Sequence, residues 1–296
     1  MSTLLSANSG AAPLDINALW DYAQPAVSEQ RFRDALAGAQ GDDALVLQTQ
    51  IARSHGLRRN FNQAREILAS IESALPSAGP TARARHALEL GRTHASATHQ
   101  KDELTPAAVE AARNAYQRAL DIAQQHQLDG LAIDAIHMFA FVDGSPADQL
   151  RWGQRALAVA QASKQPEAQR WQASIHNNVG YALHQLGRYP EALVHFEEAL
   201  KRRESMGNAT NTRTAHWMIA WTLRALKQSA KALLIQERLE HENDAAGTPD
   251  YAAPLLAGVL ALPGIAPESA HIGTPPEDGP DRPRPDLSKI VSWAEA

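Results

Sequence analysis

The sequence contains no cysteine. Disulfides, thiolate metal sites and thiol nucleophiles are therefore excluded, and the composition suits a reducing compartment. Aromatic residues are scarce, 5% against 44% apolar overall, which fits helices packed through Ala and Leu better than a sheet core. A basic excess is also missing: Lys and Arg number 28 against 33 Asp and Glu, a formal net charge of −5. A general nucleic-acid binder needs a basic stripe to release counterions, so no nucleic-acid partner is expected. Long apolar runs are absent too. The most apolar window, 251–262, is short and interrupted by Pro254 and Gly258, so no membrane span is expected. The opening MSTLLSANSGAAPLDINALW lacks the basic and apolar regions of a secretory signal, and a cytoplasmic location is expected. No Gly-rich phosphate loop, nucleophile elbow or kinase signature occurs, and scattered carboxylates on solvated helix faces make no acid–base pair. No enzymatic activity is expected.

Histidine is plentiful, with 12 residues. Yet His86/His94 and His176/His184 are spaced by two helical turns rather than one, and no His-Glu-x-x-His occurs. Neither a metal nor another cofactor is expected.

What is present is an arrangement of small residues. In the stretch 173–206, Gly180 and Ala192 are small, with Phe196 and Ala199 following Ala192 at +4 and +7. Leu186, Gly187, Arg188, Tyr189 and Pro190 read as a helix stop, a turn and a helix start. Two helices meeting at these small residues can approach closely, with Phe196 filling the space beside them. One such hairpin cannot cover its own apolar face, so it must stack on others.

The same register recurs. Ala52 with Ala64, Leu68 and Ile71 repeats it, as do Gly91 with Ala112, Tyr116 and Ala119, where an insertion within ASATHQKDELTP separates the helices. Ala156 aligns with Ala199 after the turn Asp143-Gly144-Ser145-Pro146, and Ala220, Ala232 and Leu239 form a further set. In that last set Gln236 stands where Phe196 would, which suggests a less covered second helix. The segmentation predicts a disordered stretch at 1–12 and a helical cap at 13–41, in which Asp15 caps a short helix through Tyr22. Repeats are predicted at 42–79, 80–130, 131–163, 164–208 and 209–246, with a terminal helix at 250–262. The Pro-rich tail 263–296 is predicted to be flexible and to end in a short helix at 286–296.

The pieces LWDYAQPAVSEQRF, LVLQTQIARSHGL, HALELGR, IDAIHMFAFV, HNNVGYALHQLGRYPEALVHFEEALKRRE and TAHWMIAWTLRALKQSAKAL together resemble a group of bacterial tetratricopeptide-repeat proteins with no established activity. The repeat around Asn177-Asn178 is similar to those of kinesin light chains. The resemblance covers 19–262 and implies an all-α, right-handed superhelical solenoid of about five helix-hairpin repeats. After Leu262 the chain departs from it, with Pro-rich sequence in place of another helix pair.

In that family the first helix of each pair lines a concave groove where peptides bind, and the slot after the small residue tends to face it. Here that slot holds Arg53, Arg92, Tyr181 and Trp221; neighbouring turns hold Asn177, Asn178, His184, Trp217 and Arg224, and His137 lies on a first helix of uncertain register. These ten residues are the candidate groove. It would be cationic at its N-terminal end and aromatic at its C-terminal end, suiting an extended peptide with acidic and apolar parts. Each has a structural alternative. Arg53 and Arg92 can pair with a carboxylate such as Glu89, one Asn can bridge to the next first helix, and Tyr181, Trp217 and Trp221 can pack between repeats.

The function expected is a protein-interaction scaffold that binds a peptide or partner domain, and the alternative is a sensor module binding a small effector or signalling peptide for a separate output protein. Charge reversal at Arg53 and Arg92 is expected to weaken the partner with little loss of stability. The tail segment 286–296 is a candidate for docking in the groove or on a second copy.

Overall fold

The computed structural model describes residues 14–207 and 209–246. The expected N-terminal disordered stretch, the terminal helix at 250–262 and the tail with its docking segment lie outside the described residues. The described residues contain no β-strand, in keeping with the all-α expectation. They fall into two compact units, the first comprising residues up to His94 with Thr98–Ile122, the second Ala95–Ala97 and residues from Ala123 onward.

The first unit holds α1 (Ile16–Leu19), α2 (Pro25–Leu36), α3 (Gly41–Leu57), α4 (Phe61–Ile71), α5 (Pro80–Arg92) and most of α6 (Pro106–Gln125). Pro25, Pro80 and Pro106 begin three of these helices, where a missing N–H costs nothing. Its core joins Ile16, Phe32, Val46, Leu47, Ile51 and Ala82; Ala52, Ala64 and Leu68 form a second cluster. Tyr116 is fully buried and its ring lies where a Cβ on Gly91 would be. The small-slot pairing read from the sequence is thus realised in both hairpins.

Two details depart from expectation. Helix α1 ends at Leu19 rather than Tyr22, because the Asp21 carboxylate accepts from the backbone N–H of Ala23 and Gln24 and turns the chain there. The insertion between α5 and α6 folds back on the α3–α4 turn. His99 stacks on Phe61 at 4.0 Å, and Glu103 accepts two 3.0 Å bonds from Arg59 and one from the Gln100 N–H.

The second unit holds α7 (Asp129–Met138), α8 (Pro146–Ala162), α9 (Pro166–Arg170), α10 (Gln172–Gln185), α11 (Tyr189–Met206), α12 (Ala209–Ala225) and α13 (Ser229–Ala246). Here α7 packs on α8, α8 on α10, and α10 through α13 each on the next. A Cβ on Gly180 would sit 2.8 Å from the Phe196 ring, and one on Gly153 would sit 2.7 Å from Val179; these glycines let α10 approach α11 and α8. The hairpin turns end in left-handed residues, Gly187 at φ 74° and Lys227 at φ 59°. In each the next N–H reaches back five residues, from Arg188 to Leu183 and from Gln228 to Leu223, both at 2.9 Å. Arg59 closes the α3–α4 turn of the first unit the same way.

A break at Trp171 divides the helical stretch after Pro166 into α9 and α10. Leu186, at the α10–α11 turn, is exposed. One reading is corrected here. Gln236 is not on a less covered helix: it is fully buried, and neither amide atom has a hydrogen-bond partner. Helix α12 packs on α13, and this packing has closed over the polar side chain.

Candidate functional site

In the first unit, α3 and α5 bring Arg53 and Arg92 to one carboxylate. Arg92 donates to Glu89 at 2.6 Å and Arg53 approaches the same oxygen at 3.7 Å. The Arg53 guanidinium also packs in place. Arg53 lies 5.6 Å from the Trp20 ring and 5.5 Å from that of Tyr22. Trp20 stacks on Tyr22 and its indole N–H donates to Gln50 at 3.0 Å. Glu89 is 2% exposed, and Arg53 and Arg92 are each 8% exposed. The alternative reading of these arginines, pairing with Glu89, is the one the structure realises. It also corrects the expectation that charge reversal would leave stability nearly intact, because a carboxylate at either position would face Glu89 inside the fold.

In the second unit, α7, α10 and α12 present the other candidates. Asn178 and Tyr181 lie one turn apart on α10; Trp217, Trp221 and Arg224 follow one another by a turn each on α12. All five are partly exposed. Trp221 is the centre of a set of roughly parallel rings, with His184 at 3.4 Å and 18°, Trp217 at 5.8 Å and 23°, and Tyr181 at 6.0 Å and 26°. Tyr189 meets the other side of His184 edge-on at 4.8 Å. Burial, and then the nearby Arg224 charge, push the His184 pKa down to about 4. The stack is therefore neutral at pH 7, with the Arg224 cation beside it.

Tyr181 has a second role. With His137, Ala140, Gln149, Trp152, Gly153, Ala156, Ile175 and Asn178 it lines a cleft with a volume of about 30 Å³. His137 and Asn178 form its polar edge: the Asn178 amide and His137 Nδ1 are 3.2 Å apart, bridging α10 to α7. With the amide nitrogen as donor, His137 Nδ1 accepts. The Asn178 side-chain oxygen is buried with no hydrogen-bond partner. Trp171 leans against His137 at 5.7 Å, and Trp152 is fixed by its N–H to Asp143 at 2.8 Å and by stacking on Phe139.

Of the ten candidates, seven thus gather in the second unit around Tyr181. Asn177 shares their helix but is 1% exposed, its amide enclosed without a partner. Arg53 and Arg92 belong to the first unit's ion cluster. Sequence reasoning missed Trp152, which sits on a second helix, and Trp20 and Tyr22, which hold Arg53. The scarcity of aromatic residues was the available signal for all three. Among the described residues no three His, Asp or Glu side chains converge to hold a metal ion, and no helix is long and apolar enough to cross a membrane.

Residues 171–239 match the family model described as tetratricopeptide repeat. Among solved structures, a Signal Transduction ATPase with Numerous Domains protein with a tetratricopeptide repeat sensor, from Pyrococcus horikoshii, is similar at 15% identity and a TM-score of 0.60. The similarity covers 81% of this chain and 36% of that one, so the chain spans about a third of that protein's length. BtubC (BKLC) from P. vanneervenii is similar at 15% identity and a TM-score of 0.51, over 79% of this chain and 93% of that one. No curated protein matches the sequence. At these identities the likeness concerns the fold, which is that of stacked helix hairpins.

Proposed function

We propose that this chain, which contains tetratricopeptide repeats, is a protein-interaction scaffold whose ligand surface is the face of α7, α10 and α12 in the second unit. The observation that carries this reading is the double position of Tyr181, which walls the cleft and joins the ring stack on Trp221. A continuous surface follows: a small apolar recess with a hydrogen-bonding edge, then a flat aromatic shelf, then the Arg224 cation. It suits an extended peptide that places a small apolar side chain in the recess, lays an apolar or aromatic side chain on the shelf, and sets a carboxylate by Arg224. The acidic end of the ligand is thereby moved from Arg53 and Arg92, which Glu89 already engages, to Arg224. The reading assigns no catalytic residue.

The sensor reading is less well supported for a small effector. A cleft of about 30 Å³ is an order of magnitude below the roughly 300–1,000 Å³ of typical small-molecule pockets.

Selection of peptides from a random displayed library against the full chain tests the proposal. The selected peptides should combine apolar or aromatic residues with an acidic one. Their affinity should fall by on the order of tenfold or more on Trp221→Ala, as for a central aromatic anchor, and change little on substitution of exposed Lys201 on α11. Equal binding to the Trp221 variant would overturn it.

A further inference from the structure

The α10–α11 hairpin carries a histidine pair that spacing along either helix could not reveal. His176 of α10 and His195 of α11 place their Nδ1 atoms 3.0 Å apart, with ring centroids 5.1 Å apart and planes at 38°. His176 is buried and His195 is partly exposed, so solvent reaches the pair from the α11 side. Glu191 and Glu198 lie one turn before and one turn after His195 on the same helix, and both act electrostatically on the pair. Each carboxylate is held by an arginine, Glu191 by Arg188 at 2.6 Å and Glu198 by Arg202 at 2.8 Å.

We propose that His176 and His195 form a binding site for a divalent transition-metal ion, each through Nδ1. The separation of the two nitrogens bears on which ion fits with least movement of the rings. With metal–nitrogen bonds of about 2.0–2.1 Å, donors 3.0 Å apart subtend about 94° at the metal, whereas a tetrahedral ion needs them about 3.3–3.4 Å apart. The pair therefore fits two adjacent corners of a square-planar or octahedral field, the preference of Cu²⁺ and Ni²⁺ rather than Zn²⁺. Water fills the remaining corners on the exposed side, because among the described residues no third His, Asp or Glu converges on the pair. As the rings stand, one Nδ1 carries the proton that the other accepts. On metal binding that ring moves its proton to Nε2, both Nδ1 lone pairs face the ion, and no net proton is lost. His176 Nε2 has no acceptor in the structure, so the site lacks the second hydrogen bond that strengthens most histidine ligands and its affinity is modest.

Titration of the untagged full chain with Ni²⁺ alone, and separately with Zn²⁺ alone, tests the site by calorimetry and thermal shift. Ni²⁺ should bind more tightly than Zn²⁺ and raise the melting temperature, and His195→Gln should lose at least tenfold in Ni²⁺ affinity. Replacing His126 or His241, which belong to no such pair, should leave binding unchanged. His195 is partly exposed, so the variant is expected to fold, which circular dichroism checks. A Cu²⁺ electron paramagnetic resonance spectrum should show two coordinating nitrogens in the parent and fewer in His195→Gln. Unchanged Ni²⁺ affinity in that variant, meaning an adventitious ion only, would overturn the proposal. So would a Zn²⁺ affinity above that of Ni²⁺, or a copper spectrum that the substitution does not alter.

Discussion

Arg53 and Arg92 in the first unit occupy the same register slot as Tyr181 and Trp221 in the second: each directly follows the small residue of a first helix. Equivalent slots have been put to opposite use. The first unit turns its pair inward onto Glu89 and lays Trp20 and Tyr22 over Arg53. The second leaves its pair partly exposed, beside a cleft and the Arg224 cation. A repeat's slot fixes where a side chain can point. Whether that side chain is then consumed by the fold depends on the residue one turn away: Glu89 stands one turn before Arg92, whereas Trp217 and Asn178 stand one turn before Trp221 and Tyr181.

The contrast can be broken most directly at Glu89. Glu89→Gln leaves two arginines buried without their shared carboxylate and should cost about 3–5 kcal/mol in urea unfolding; a loss below 1 kcal/mol would mean that the first unit's slots are as open as the second's. The next largest effect belongs to His184. Its folded pKa is about 4 against an ordinary 6.5, so between these values the unfolded chain binds the extra proton. Stability should be fully present above pH 6.5 and fall as the pH drops toward 4, by on the order of 2–3 kcal/mol. His184→Phe should flatten this part of the profile, and an unchanged slope would show that the ring is not sealed under Trp221. Gln236→Leu sharpens the comparison within the second unit, where Phe196 fills the equivalent slot. Removing an enclosed, unbonded amide should raise stability by about 1–2 kcal/mol; a loss would point to a bonded Gln236. Smallest is Arg224→Glu, a charge reversal at a partly exposed site, which should change stability by no more than about 0.5 kcal/mol while abolishing binding of the acidic peptides selected above. A large loss of stability would place Arg224 with the buried arginines of the first unit.

The architecture was legible because it rests on local and periodic signals. Gly180 with Phe196, and Gly91 with Tyr116, announce close helix approach by size and spacing alone. The stop at Gly187 is written in residues that favour a left-handed turn, whereas Arg59 and Lys227 adopt the same conformation without that signature. The candidate site was legible only in part. Register singles out Tyr181, Trp217 and Trp221, but their meeting with His184 and the place of Trp152 in the cleft wall depend on distances between helices. The His176–His195 contact joins two helices across a turn, and no periodicity along one helix encodes it. Gln236 was misread for a related reason: polarity in the sequence was taken for exposure, while the packing of α12 on α13 decides burial.

One ring draws these threads together. Because the phenol of Tyr181 borders both the recess and the shelf, the two cannot act as separate sockets. A fragment that fits the recess and another that fits the shelf each demand a position of the same ring, so their free energies will not sum. Joined in one molecule, they will pay for that ring's placement once, and the linked ligand will gain more than its halves foretell.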